Sequence, residues 1–324
     1  MALPAYATPL ERIWHYVYKA ICVAVFTFLI APILVVIPLS FNVEPYFSFT
    51  KAMLEFDPAG YSLRWYDTLL TFGLNAPEDA VRDGSWWGQV WREATWVRAA
   101  KNSIWIGFWA TLLATVLGTV AALGLSRPEM PCRRLIMALL ISPMIVPVII
   151  IATGLFFAYS AACIPNDNAL GALLAPFLSP KGCLANTYLG VILAHAMLGI
   201  PFVIITVTAT LTGFDQSLIK ASASLGATPW QTFFKVIMPL ILPGIISGAL
   251  FAFVTSFDEV VAVLYIAGPD QQTIPRQMWN GIREAISPAI LSVATILVVV
   301  SICLLSTVEL LRRRTEKLRG VKPN

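Results

Sequence analysis

Six apolar runs, each of about 20 residues, divide this chain and leave few folds open to it. They cover residues 19–39, 103–125, 135–160, 187–211, 240–266 and 289–311. About 20 residues of helix match the thickness of a bilayer's hydrocarbon core. The expected fold is therefore all-α, a polytopic membrane protein with six transmembrane helices. Composition agrees: 58% of the 324 residues are apolar and only 12% are charged, about half the charged share of a soluble domain. Mean hydropathy is +0.76. The net charge of +4 is mild, and no basic patch interleaves with aromatics, so nucleic acid is not an expected partner. The first run is too long for a cleavable signal peptide and has no small-residue cleavage site after it, so it reads as a retained anchor.

Lys and Arg set the expected orientation. Arg133 and Arg134 crowd the short loop after the second run, and Arg312, Arg313, Arg314, Lys317 and Arg319 crowd the tail. Both termini and that loop are expected on the cytoplasmic side. The long segment 41–102 is then outside by parity of spans. Cys163 and Cys183 share one outside loop in the oxidising compartment, where a disulfide between them is expected. The only histidines, His15 and His195, are far apart, and no Cys/His cluster has metal-ligand spacing. The indoles of Trp86, Trp87, Trp91 and Trp96 read as an interfacial belt, or as a surface for an external protein.

Between the fourth and fifth runs lies a polar stretch, 215–244. Asp215 can cap a short helix that Gly226 would end in a left-handed turn. Thr228 and Pro229 read as N-cap and first residue of a second helix. Trp230, Phe233, Phe234 and Ile237 follow as an apolar stripe at i, i+3, i+4 and i+7. The reading is helix, turn, helix, with apolar faces exposed to water.

This stretch resembles the cytoplasmic coupling loop, the EAA loop, of ABC-importer permeases of type I. The matching positions are Lys220, Ala221 and Ser222, then Gly226, then Val236, Met238 and Pro239. Lys220 stands where the family has an acid, and Ser222 where it has alanine. The resemblance implies ATPase contacts through Lys220, Ala221, Ser222, Leu225, Gly226, Ala227, Trp230 and Phe233. No GxxxxGK[ST] run occurs, so the chain is expected to be no enzyme and to bind no cofactor. ATP and Mg would be used by the partner ATPase.

The fifth run contains Ser256-Phe257-Asp258-Glu259. An ionised group near the bilayer centre costs about 2.5–3.5 kcal/mol on insertion scales, so carboxylates there face a cavity or a partner. No Lys or Arg lies mid-span to neutralise Asp258 or Glu259, which points to a cationic cargo; the competing reading is scaffolding, with the acids bound to helix N-termini, hydroxyls or water. TSFDEVV at 255–261, TIPRQMW at 273–279 and IREAISP at 282–288 are similar to polyamine-type permeases for putrescine and spermidine, in their second subunit. Relatives of that family also carry opines and amino-acid derivatives. The resemblance implies a second, different permease subunit, two copies of an ABC ATPase, a periplasmic substrate-binding protein, and a bacterial inner-membrane location. It also implies a pathway lined by Asp258, Glu259, Ser256, Phe257 and His195, though His195 equally suits a hydrogen-bonded core. The implied organisation is a cytoplasmic N-terminus at 1–16, an anchor with a long outside segment at 17–101, a permease domain at 102–311 with its coupling loop at 215–239, and a basic tail at 312–324. The segment 268–288 would reach toward the binding protein. An ion-coupled secondary transporter using Asp258, Glu259 and His195 is the alternative of another class; a membrane enzyme lacks a nucleophile–base pair.

Overall fold

The computed structural model describes residues 8–75, 80–127, 129–164, 169–212, 217–284 and 287–318. Among them, regular structure is helical apart from two isolated bridges. In chain order the helices are α1 (Pro9–Leu39), α2 (Lys51–Leu54), α3 (Arg64–Thr71), α4 (Gly84–Glu93), α5 (Thr95–Leu125), α6 (Arg133–Ile145), α7 (Val148–Ala161) and α8 (Ala169–Leu174). There follow α9 (Tyr188–Thr212), α10 (Ser217–Ser224), α11 (Pro229–Thr232), a π-helical turn at Phe233–Ile237, α12 (Met238–Asp258), α13 (Val261–Ile266), α14 (Ile274–Glu284) and α15 (Ala289–Leu318). Four helical runs are long and apolar enough to cross a membrane: Pro9–Leu39, Thr95–Leu125, Tyr188–Thr212 and Pro229–Asp258. The bent pair α6–α7 makes a fifth, and Ala289–Cys303 is a shorter apolar helix.

The chain falls into two compact units. The first comprises residues 1–86 and 281–324, with α15 against α1 and α3. Its α1 starts in a capping box between Thr8 and Glu11, and no residue of its most apolar 18-residue window is buried, as suits a helix facing lipid. Where α1 ends, the chain is tied down by polar bonds. Ser40 Oγ donates to Ile37 O at 2.6 Å and Trp65 Nε1 donates to Asn42 O at 2.7 Å. Asn42 Nδ2 donates to Tyr46 O and Ser48 O.

The second unit, residues 87–280, is built on α5, α9 and α12. Small residues let these three backbones close up, as they do in membranes where hydrocarbon burial gives no drive to association. On α12 the buried positions Gly244, Gly248, Ala252 and Ser256 recur every four residues. On α5, Ala110, Ala114, Gly118 and Ala122 do the same. Val203 of α9 sits between them: a Cβ added at Gly118 would lie 2.7 Å from Val203 Cβ, and one at Gly248 would lie 2.8 Å from Val203 Cα.

Two expected spans are interrupted. The 135–160 run is a helix pair bent by 102°. Pro147 lacks an N–H and its ring drives the preceding residue out of the α region. Val146 accordingly takes φ −71°, ψ 135°, and α6 stops at Ile145. The 240–266 run breaks after Asp258, where Glu259 is extended at φ −75°, ψ 121°. Pro143 and Pro201 lie inside α6 and α9, which continue through them.

One end of this unit is laced by polar side chains. Asn102 Nδ2 donates to Asp270 O at 2.7 Å and Gln272 O at 2.9 Å. Ser103 Oγ accepts from Ile274 N at 2.8 Å, and Tyr188 OH reaches both Asn102 Oδ1 and Asp270 O. Gln271 and Thr273 are buried, with Gln271 Oε1 accepting from Gly268 N. The expectation of a reaching loop is corrected for these residues: 270–274 is strapped across α5 and α9. Replacing Asn102 with alanine leaves Gln272 O without its donor and Asp270 O with Tyr188 OH alone, and is expected to cost about 1–3 kcal/mol. A fall in the thermal unfolding midpoint of the detergent-purified protein is the readout; an unchanged midpoint would contradict the strap.

Cys163 and Cys183 are joined by a disulfide across an isolated antiparallel bridge.

Candidate functional site

The hairpin that follows α9 is built from local rules. Asp215, the expected cap of its first helix, lies outside the described residues. At the other end of α10, Gly226 takes φ +79°, Gly226 N donates to Ala223 O and Ala227 N to Ser222 O. That is the Schellman pattern, in which a left-handed residue closes the helix and its last carbonyls are satisfied. Thr228 and Gln231 form a reciprocal capping box that starts α11 at Pro229.

Ser222 is corrected. Expected to face an ATPase, it is buried instead: its Oγ donates to Ile219 O at 2.8 Å and lies 2.9 Å from Thr232 Oγ1. A hydroxyl here latches α10 to α11, a role the alanine of the family pattern could not perform. Thr232, the other half of the latch, was not singled out from sequence. What remains outside is apolar: Leu225 is 89% exposed and Trp230 73% exposed, and Trp230 stacks on Phe234 at 5.9 Å. Lys220, Ala221 and Gly226 are exposed as well; Ala227 and Phe233 are half-buried.

From Pro229 the helix runs without interruption to Asp258, with one anomaly. Pro239 cannot donate to Lys235 O, and its ring would collide with that carbonyl in an α-helix. The turn before it widens to π geometry, with Met238 N donating to Phe233 O five residues back. Hairpin and acidic segment are thus two ends of one helix.

At the far end, Ser256, Phe257, Asp258 and Glu259 have four different fates. Ser256 Oγ meets His195 Nδ1 at 2.8 Å in the buried contact of α12 with α9, while His195 Nε2 is buried with no partner. Phe257 stacks on Phe253. Glu259, expected inside the helix, lies in the break, and its Oε1 accepts from Val261 N at 2.7 Å and Ala262 N at 3.0 Å. The break leaves those N–H groups without helical acceptors, and the carboxylate supplies one. α13 is held at its other end by Arg276 Nη1, which donates to Val263 O, Ala267 O and Gly268 O. A carboxylate at the N-terminus and a guanidinium at the C-terminus both complement the helix dipole. Asp258 differs: it is exposed, and none of the described side chains offers it a hydrogen bond or ion pair. The sequence hint for Glu259 was an acid just ahead of a short β-branched helix start.

Long apolar helices packed on small residues, a latched amphipathic hairpin at one end of the Pro229–Asp258 helix and a lone carboxylate at the other, define a membrane-spanning transport subunit. The profile of the binding-protein-dependent transport system inner membrane component family matches residues 114–317, and the chain belongs to that family. It is 26% identical over 296 residues to the spermidine/putrescine transport system permease protein PotC of Haemophilus influenzae, covering 91% of this chain and 96% of that one. Identity to the putrescine permease PotI of Escherichia coli is 28%, covering 84% and 82% of the two chains. To the sulfate permease CysT of Escherichia coli it is 30%, covering 79% and 91%. In fold the chain is similar to a subunit of a bacterial alginate ABC transporter solved with a periplasmic protein bound to an alginate pentasaccharide. The TM-score is 0.64 at 15% identity, covering 95% and 97% of the two chains.

Proposed function

We propose that this chain is the permease subunit of an ATP-driven importer for a small cationic solute, most readily a polyamine such as putrescine or spermidine. The observation that carries the reading is the continuous helix that begins at the latched hairpin and ends at the unpaired Asp258. A carboxylate facing lipid would cost about 2.5–3.5 kcal/mol, so Asp258 faces a pathway that a second, different permease subunit completes. An organic cation passing there supplies the missing charge. The names of the two polyamine relatives support this cargo, while the sulfate relative shows that sequence likeness alone leaves its sign open.

In this reading the hairpin is cytoplasmic, as are both termini. Two copies of an ABC ATPase grip the coupling hairpins and use ATP with Mg, while this chain contributes neither nucleotide site nor cofactor. Leu225, Ala227, Trp230 and Phe233 enter the ATPase groove, and a periplasmic binding protein delivers the solute at the opposite face. Closure of the ATPases on ATP moves α12 and exchanges inward for outward access.

Leu225→Asp tests the docking. A charge at the centre of an apolar contact is expected to cost more than tenfold in polyamine uptake and to release the ATPase during co-purification. Uptake that persists after ATP depletion and collapses with an uncoupler would instead identify an ion-coupled transporter.

A further inference from the structure

Resting on the docking role proposed above, a second observation specifies the partner's chemistry. Between α10 and the π turn lies a shallow groove of about 240 Å3, lined by Ser222, Gly226, Gln231 and Lys235 among others. Its acceptors are largely spoken for. Ser222 Oγ is engaged by Ile219 and Thr232, and Gln231 Oε1 by Thr228 N. The side-chain groups left for a visitor are donors: the Gln231 amide N–H groups and the Lys235 ammonium. Lys235 and Lys220 are also the only charged residues from 217 to 257, so among the described residues the hairpin has no acid to pair with either; Asp215 lies outside them. Lys220 is the position at which the resemblance would have placed a carboxylate.

We propose that the groove receives an aspartate or glutamate side chain of the ATPase, bound by Lys235 and the Gln231 amide. A second acidic group faces Lys220. The polarity of this docking contact is then inverted at position 220 relative to coupling loops that carry the acid themselves. A carboxylate fits a groove whose free side-chain donors are the Gln231 amide and the Lys235 ammonium, and its pairing with an ammonium at a partly desolvated contact sets register as well as affinity.

The test uses the whole importer, purified in detergent through a tag on the permease. The fraction of ATPase retained is followed for wild type, Lys235→Glu, Lys235→Gln and Lys220→Glu as salt is raised. Wild-type retention should fall with salt. Lys235→Glu should retain about tenfold less ATPase or worse at low salt, and Lys235→Gln an intermediate amount. Changing the facing acid of the ATPase to lysine should restore the Lys235→Glu complex, which a folding defect would not permit. Retention of ATPase by Lys235→Glu at the wild-type level, with Leu225→Asp releasing it, overturns the acidic contact and leaves the docking role standing. Retention by Leu225→Asp as well overturns the docking role itself. Loss by Lys235→Glu only in bilayers of anionic lipid, and not in detergent, assigns the lysine to headgroups and also overturns the proposal.

Discussion

Asparagine in place of Asp258 is expected to lower polyamine uptake by roughly ten- to a hundredfold, the equivalent of about 1.5–3 kcal/mol for a lost charged hydrogen bond. The substitution is nearly isosteric and the side chain has no hydrogen bond or ion pair to lose among the described residues, so subunit assembly and thermal stability should be unchanged. Glutamine in place of Glu259 should behave in the opposite way. Its amide oxygen still accepts from Val261 and Ala262, so uptake should stay within a few-fold of wild type. Glu259→Leu removes the acceptor and should cost about 1–2 kcal/mol in stability. Uptake by both variants is measured with labelled putrescine or spermidine in intact cells. Equal losses for Asp258→Asn and Glu259→Gln would mean that the two acids act as one group, and would defeat the division of roles drawn from the break.

A large structural effect is expected at Gly248. A leucine there must place its Cβ 2.5 Å from Thr206 Oγ1 and 2.8 Å from Val203 Cα, and the second of these is backbone that cannot turn aside. Overpacking of a close helix contact costs typically 1–3 kcal/mol and sometimes more; with main chain in the way, about 3 kcal/mol or more is expected. Gly248→Leu protein should be lost to aggregation or degradation before purification. Gly124→Ala is the matched control, because a Cβ there meets nothing within 4 Å. Monodisperse protein recovered in detergent separates the two. Normal recovery of Gly248→Leu would show that α9 and α12 do not approach as described.

Much of this was legible in the chain because the signals are local. Thr228-Pro229 marks a helix start by chemistry that acts within four residues, and Gly226 marks a helix end in the same way. Apolar length alone picks out α1, α5 and α9. What sequence reading missed depends on partners distant in the chain. The resemblance put Ser222 among the ATPase contacts, and only the fold of the hairpin brings Thr232 against it. Gln271 and Thr273 belong to the segment 268–288 expected to reach outward, yet Asn102, some 170 positions earlier, supplies the carbonyls of Asp270 and Gln272 with donors. The corner in the third run depends on Pro147, whose ring forces Val146 to ψ 135°. Adjacent acids in an apolar run look alike in sequence, and a broken helix is what separates a cap from a lone charge.

The unbroken helix from Pro229 to Asp258 has a mechanical consequence. Its closest approach to the backbone of α9 is at Gly248, so it can tilt about that point as a seesaw tilts about its pivot. At about 1.5 Å per residue, Trp230 lies roughly 27 Å from the pivot and Asp258 roughly 15 Å on the other side. A tilt of about 10° would carry the Trp230 end some ~5 Å one way and the Asp258 end some ~3 Å the other. With the hairpin proposed as the driven arm and Asp258 as the loaded one, the carboxylate would swing against the direction in which the hairpin is drawn.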